Sequence, residues 1–79
     1  MTNEQQADAT ALWNMVMAKL EAEERSELRL FINAHHRVEP DGKPRTFDRP
    51  VWDEVVRDFE DRGFQAFIED ERTFIVVAP

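Results

Sequence analysis

Between positions 40 and 44 the chain reads PDGKP, two prolines bracketing a glycine, and no helix runs through such a stretch. Each proline lacks a backbone N–H and crowds the carbonyl four residues back. Asp41-Gly42 is also a turn pair, because glycine accepts the positive φ such turns need and Pro40 fixes the φ before it. The break leaves a helical-looking N-terminal half and a C-terminal half with elements of its own. At 79 residues the two halves must share one core, since a chain this short cannot fill two. Residues 37–47 are accordingly expected to form one exposed loop, long enough to carry function.

Before the break, Leu12, Trp13, Val16, Met17 and Leu20 recur on one helical stripe. They predict a first helix capped by Asp8 or Thr10, with residues 1–7 frayed ahead of it. The run EAEERSELRLFINAHH is rich in helix formers. Leu28, Phe31, Ile32 and His35 share one face there, and acids crowd its start, where the helix dipole favours them. This predicts a bend near 20–23 and a second helix over 22–36. Two alternatives stay open: one long helix, or a strand over 28–34, where Leu28, Leu30, Ile32 and Ala34 alternate with other residues.

After the break a third helix is expected from Asp48. Asp48 stands at the N-cap and Pro50 in the first turn, where a missing N–H costs nothing. Phe47 and Trp52 have the spacing of a hydrophobic staple. Val51, Trp52, Val55, Val56 and Phe59 form the buried stripe, and Gly63 falls where a left-handed residue ends a helix. The remaining FQAFIEDERTFIVVAP predicts a β-hairpin. A two-residue loop at Asp70–Glu71 sets Glu69 against Arg72, Phe67 against Phe74 and Ala66 against Ile75. Neither Asp nor Glu favours positive φ, so a four-residue loop is the alternative. The strand TFIVVA is apolar on both faces, which calls for cover on both or for pairing with another chain. A homodimer through residues 73–78 is one expectation.

The expected fold class is α+β, three helices followed by a C-terminal β-hairpin in one domain. Its core would comprise Leu12, Trp13, Val16, Leu20, Leu28, Phe31 and Ile32 from the first half. Val51, Trp52, Val55, Phe59, Phe67, Ile75 and Val77 would complete it. The order of elements is winged-helix-like, a likeness of topology alone with no residue motif behind it.

Charge then narrows function. Seventeen Asp and Glu against ten Lys and Arg give a net charge of −7, and only 37–47 carries more bases than acids. Such a field repels phosphate backbones and attracts a basic protein. The absence of cysteine excludes disulfides, thiolate zinc sites and a Cys nucleophile, and it suits a cytoplasmic protein. MTNEQQADAT lacks the features of a signal peptide, and no apolar run approaches the roughly 18 residues of a membrane span.

The stretch HHRVEPDGKPR looks most like chemistry. Adjacent His35 and His36 would point about 100° apart on a helix, so they do not share a metal. Zinc patterns space histidines three to five apart or add cysteine. What remains is one histidine with Glu39 and Asp41, and the plainer reading turns His35 inward beside Ile32 and His36 to solvent. Ser26 has no histidine at a helical neighbour position, and the two glycines cannot build a phosphate loop. No catalytic residue, metal or cofactor is expected, and the chain is read as not an enzyme.

On the third helix Asp53, Glu54, Asp58, Glu60 and Asp61 lie away from Val51, Val55 and Phe59. Glu69, Asp70 and Glu71 at the hairpin tip extend the negative field. These eight carboxylates are the candidate partner-binding residues, weighed against an ordinary solvated face. The resulting expectation is a non-enzymatic acidic protein-interaction module, a small inhibitor that mimics DNA toward a basic nucleic-acid-handling protein. Size, acidity and lack of cysteine give it a profile that resembles phage-type and anti-CRISPR-like inhibitors, without a shared motif. The alternative is a winged-helix-type transcription regulator binding DNA, although its third helix and EDER tip would meet phosphates with the wrong sign.

Overall fold

The computed structural model describes residues 1–24 and 26–79. In chain order it contains α1 (Asn3–Glu23), β1 (Glu27–Phe31), β2 (His36–Val38), β3 (Pro44–Thr46), α2 (Arg49–Asp61), β4 (Gln65–Glu69) and β5 (Thr73–Val77). Strands β1, β5 and β4 form an antiparallel sheet with β5 in the middle, and β2 pairs with β3 in a separate antiparallel ribbon. Among the described residues, two helices and five strands thus replace the expected three helices and single hairpin. The winged-helix likeness lapses with them, because a β-ribbon and not a helix precedes α2.

Helix α1 starts earlier than its apolar stripe suggested. Thr2, and not Asp8 or Thr10, is the N-cap: the Gln5 N–H donates to Thr2 Oγ1 and the Thr2 N–H donates to Gln5 Oε1, both at 3.1 Å. This reciprocal capping box satisfies two otherwise orphaned donors and makes residues expected to fray helical from Asn3. The helix ends at Glu23, with Glu24 left-handed at φ 50°.

The expected second helix does not form; position 25, inside it, lies outside the described residues. Glu27–Phe31 is a strand because Leu28 and Leu30 point to the core while Glu27, Arg29 and Phe31 point away. Period-two burial against β5 outweighs the helical preference of the same letters, and tertiary packing overrides propensity in this way elsewhere. Phe31, assigned to the core from its helical face, is 67% exposed, and Ile32 is only partly buried.

Residues 37–47 are likewise structured. The turn chemistry of EPDGK holds: Gly42 has φ 85°, its N–H donates to the Glu39 carbonyl at 2.8 Å, and Glu39 N–H donates to the Lys43 carbonyl at 2.9 Å. Asp41 Oδ1 accepts from Lys43 N–H at 3.0 Å. With the turn so closed, His36, Arg37 and Val38 pair with Thr46, Arg45 and Pro44. Pro44 is tolerated because a two-stranded ribbon has only edges.

Helix α2 follows its sequence signals. Asp48 occupies the N-cap position, and the Phe47 and Trp52 rings meet edge to face at 6.2 Å. At the other end Gly63 is left-handed (φ 88°), its N–H reaching the Glu60 carbonyl and the Phe64 N–H the Phe59 carbonyl, both at 3.0 Å. Those paired bonds are a Schellman closure.

The last hairpin forms one residue out of the expected register. Glu69 faces Thr73, Ile68 faces Phe74 and Phe67 faces Ile75. Asp70 and Glu71 are both left-handed, at φ 52° and 57°, and the Arg72 N–H donates to the Glu69 carbonyl at 3.1 Å. Arg72 is then an extra residue whose carbonyl accepts from Ile32 N–H at 2.9 Å. A slip of one residue exchanges the two faces of a strand. Phe74 and Val76 point inward, Phe67 points out at 47% exposure, and Val77 is partly buried.

One core cluster results. Ala9, Leu12, Val16 and Leu20 of α1 meet Val51, Trp52, Val55 and Phe59 of α2 above Leu28, Leu30, Phe74 and Val76 of the sheet. Trp13 is partly buried, its ring 3.9 Å from that of Phe59 with the Arg62 guanidinium 4.5 Å above it. Ile75 is 2% exposed yet stands outside this cluster, on the sheet's other face. That explains the doubly apolar TFIVVA: β5 is the central strand, and its two edges are taken by β1 and β4 rather than free for another chain.

Candidate protein-interaction surface

The eight candidate carboxylates fall into three groups. With Val51, Trp52, Val55 and Phe59 turned inward, the helical repeat carries Asp53, Glu60 and Asp61 to the outer side of α2. Glu54 and Asp58 lie on the flank toward α1, where with Met1, Gln6, Ala9 and Thr10 they line an open cleft of about 270 Å³. Glu69, Asp70 and Glu71 sit at the β4–β5 tip. Strand β4 leads back from the end of α2, so this tip is a strand length, roughly 17 Å, from Glu60 and Asp61. The first two groups adjoin on α2, where Glu54 and Asp61 both act on Asp58.

Three of the eight already have partners. Arg49 Nε is 3.0 Å from Asp53 Oδ1, Arg57 Nη2 is 2.7 Å from Glu54 Oε2, and Arg29 Nη1 is 3.6 Å from Glu69 Oε2. The Arg57 guanidinium is pushed further up by its hydrogen bond to Glu54. Among the described residues, Asp58, Glu60, Asp61, Asp70 and Glu71 have no ion pair within 4 Å. Partial burial raises the Asp58 carboxyl above its ordinary range, and the Glu54 charge one turn away adds to the shift.

The basic segment is where sequence reasoning missed most. Arg37 donates to Glu4, to Asp8 at 2.9 Å and to Glu39 at 2.8 Å. Arg45 lies 3.5 Å from Glu4, 3.4 Å from Glu39 and 3.4 Å from Asp48. Asp8 is 8% exposed and Arg37 only partly exposed, so this is a seam between the ribbon, the first two turns of α1 and the N-cap of α2. The hydrogen bond from Arg37 holds the Glu4 carboxyl below its usual range and pushes the guanidinium further up. Two arginines face four carboxylates, which leaves the cluster net negative. Partners 29 and 33 residues apart leave no local pattern; the one hint was Asp8, four positions before Leu12 on the buried stripe.

The two histidines are divided. The His35 Nδ1 lies 2.8 Å from the Phe31 carbonyl oxygen and its ring stands edge-on to Trp52 at 6.5 Å, whereas His36 begins β2 and is exposed. No group of three or more His, Cys, Asp or Glu able to hold a metal occurs among the described residues. Nor, among them, is any helix long and apolar enough to cross a membrane. No family model, curated protein or solved structure matches the chain significantly.

Proposed function

We propose that this chain is a non-enzymatic, acidic protein-interaction module that recognises a basic surface on another protein, of the kind that otherwise holds nucleic acid. A single observation carries the reading: the only basic segment has its arginines, Arg37 and Arg45, engaged by Glu4, Asp8, Glu39 and Asp48. What is left facing outward is dominated by unpaired carboxylates on a chain of net charge −7. Such a surface disfavours phosphate backbones and speeds encounter with a cationic partner. An inhibitor that occupies a nucleic-acid groove fits this electrostatic profile, and a cytoplasmic setting fits the cysteine-free composition.

The experiment uses the exposed, unpaired acids. Glu60, Asp61, Asp70 and Glu71 are changed together to Lys, and both chains serve as bait in lysate of the source cells. Wild type should retain basic proteins that high salt releases, and the variant should lose them. Neither step involves nucleic acid, so wild type should also fail to bind random duplex DNA at low salt. Equal recovery by the two baits, or DNA binding by wild type, overturns the reading.

A further inference from the structure

The three-stranded sheet has helices on one face only, since every buried apolar residue of the helices belongs to the cluster over Leu28, Leu30, Phe74 and Val76. Register defines the other face as three rows: Glu27–Val77–Gln65, Arg29–Ile75–Phe67 and Phe31–Thr73–Glu69. Ile75 forms its floor, with its cross-strand neighbours Arg29 and Phe67 on either side. Phe31 and Phe67 stand out from it, the two large aromatics the fold leaves exposed. Around them are Glu27, Glu69 and the tip residues Asp70 and Glu71. The Arg29 Nε is already 3.1 Å from Glu27, and its Nη1 lies near Glu69.

We infer that this helix-free face is the docking site for a short, extended, cationic and apolar segment of a partner protein, its apolar side chains on Phe31 and Phe67 and its cations at Glu69, Asp70 and Glu71. The inference rests on the reading of the chain as an acidic interaction module and names the surface involved. Charge complementarity selects the occupant: four carboxylates border the aromatics against Arg29 and Arg72, so the rim is negative. A second copy would bring the same negative rim and another chain of charge −7. Area argues the same way. Three five-residue strands at ordinary spacing present a footprint of about 240 Å², far below the roughly 600 Å² or more per partner of a stable folded interface. Exposed aromatics framed by charges are the usual anchors of small interfaces.

The probe is an eight-residue peptide alternating Lys and Leu, titrated into the ¹⁵N-labelled full chain. Amide shifts should concentrate on residues 27–31 and 65–77. Phe31→Ser and Phe67→Ser, both at exposed positions and checked for folding by circular dichroism, should each weaken binding about tenfold. A Lys–Ser peptide of equal charge should bind wild type at least tenfold more weakly, which tests the aromatic contact without altering the protein. Shifts confined to α2 would overturn this docking site while leaving the acidic-module reading intact. Equal binding of the Lys–Ser peptide, or undiminished binding by both serine variants, would overturn it too. No binding of either lysine peptide would overturn both readings. A dimer in sedimentation that the serine variants dissolve would assign the face to a second copy instead.

Discussion

Replacing Glu71 by glycine should make the protein more stable. Glu71 sits at φ 57° in the β4–β5 turn, exposed, with a Cβ the left-handed conformation does not favour. That conformation costs an ordinary L-residue roughly 1–2 kcal/mol. Glycine removes the strain but adds freedom to the unfolded chain, returning about 0.5–1 kcal/mol. The expected net gain is about 0.5–1 kcal/mol, and for a chain of this length that raises Tm by about 3–6 °C. Urea melts followed by circular dichroism resolve such a difference. Glu71→Ala is the control, because it deletes the same carboxylate from an acidic protein and keeps the Cβ. If alanine stabilises as much as glycine, relief of charge and not of backbone strain is responsible. A glycine variant less stable than wild type would refute the turn geometry itself.

Two further outcomes concern pH. Glu4 has its folded pKa lowered by Arg37, so its contribution is complete above the unfolded carboxylate range and lost as pH falls through the lower folded value; Glu4→Gln should flatten the acid limb of a stability–pH curve. Asp58 is shifted the other way, so the folded state holds its proton longer than the unfolded state does, and stability falls as pH rises through that window. Asp58→Asn should therefore stabilise at neutral pH and give no gain at pH values below the ordinary Asp range, read from urea midpoints at each pH. Trp52 is buried with its indole N–H unpartnered. Trp52→Phe removes that unmet donor along with some volume and should cost about 1 kcal/mol or less, against about 3–5 kcal/mol for Trp52→Ala, by chemical denaturation.

How much of this was legible in the sequence depended on the range of the forces involved. Helix α2 was readable because its signals are local: Pro50 in the first turn, the Phe47–Trp52 staple, Gly63 at the end. The turn at Asp41-Gly42 was readable for the same reason, but its consequence, a β-ribbon, was not. Residues 27–31 carry both periods, since Leu28 serves a helical face with Phe31 and an alternating face with Leu30. The choice was made by Phe74 and Val76, more than forty residues away. At Asp70–Glu71 the rule against left-handed acids argued for a longer loop. The fold accepts that strain and accommodates Arg72 as an extra residue, which buries Phe74 beside Trp52 at 5.4 Å. Of the candidate acids, Glu60, Asp61, Glu69, Asp70 and Glu71 are exposed, whereas Asp53, Glu54 and Asp58 are only partly so. The Arg37 seam left only one trace in the sequence, an Asp8 in line with the buried stripe of α1.

The placement of β5 bears on how the protein comes into being. Its neighbours in the sheet, β1 and β4, share no backbone hydrogen bonds with one another, so without β5 each is a lone strand with unmet hydrogen-bonding edges. Helix α1 can pack on α2 without it, but the sheet closes only when β5 pairs with both of its neighbours. Until β5 is in place Leu28, Leu30 and Ala66 lack their cover, so a partly folded chain is most prone to clumping at that stage.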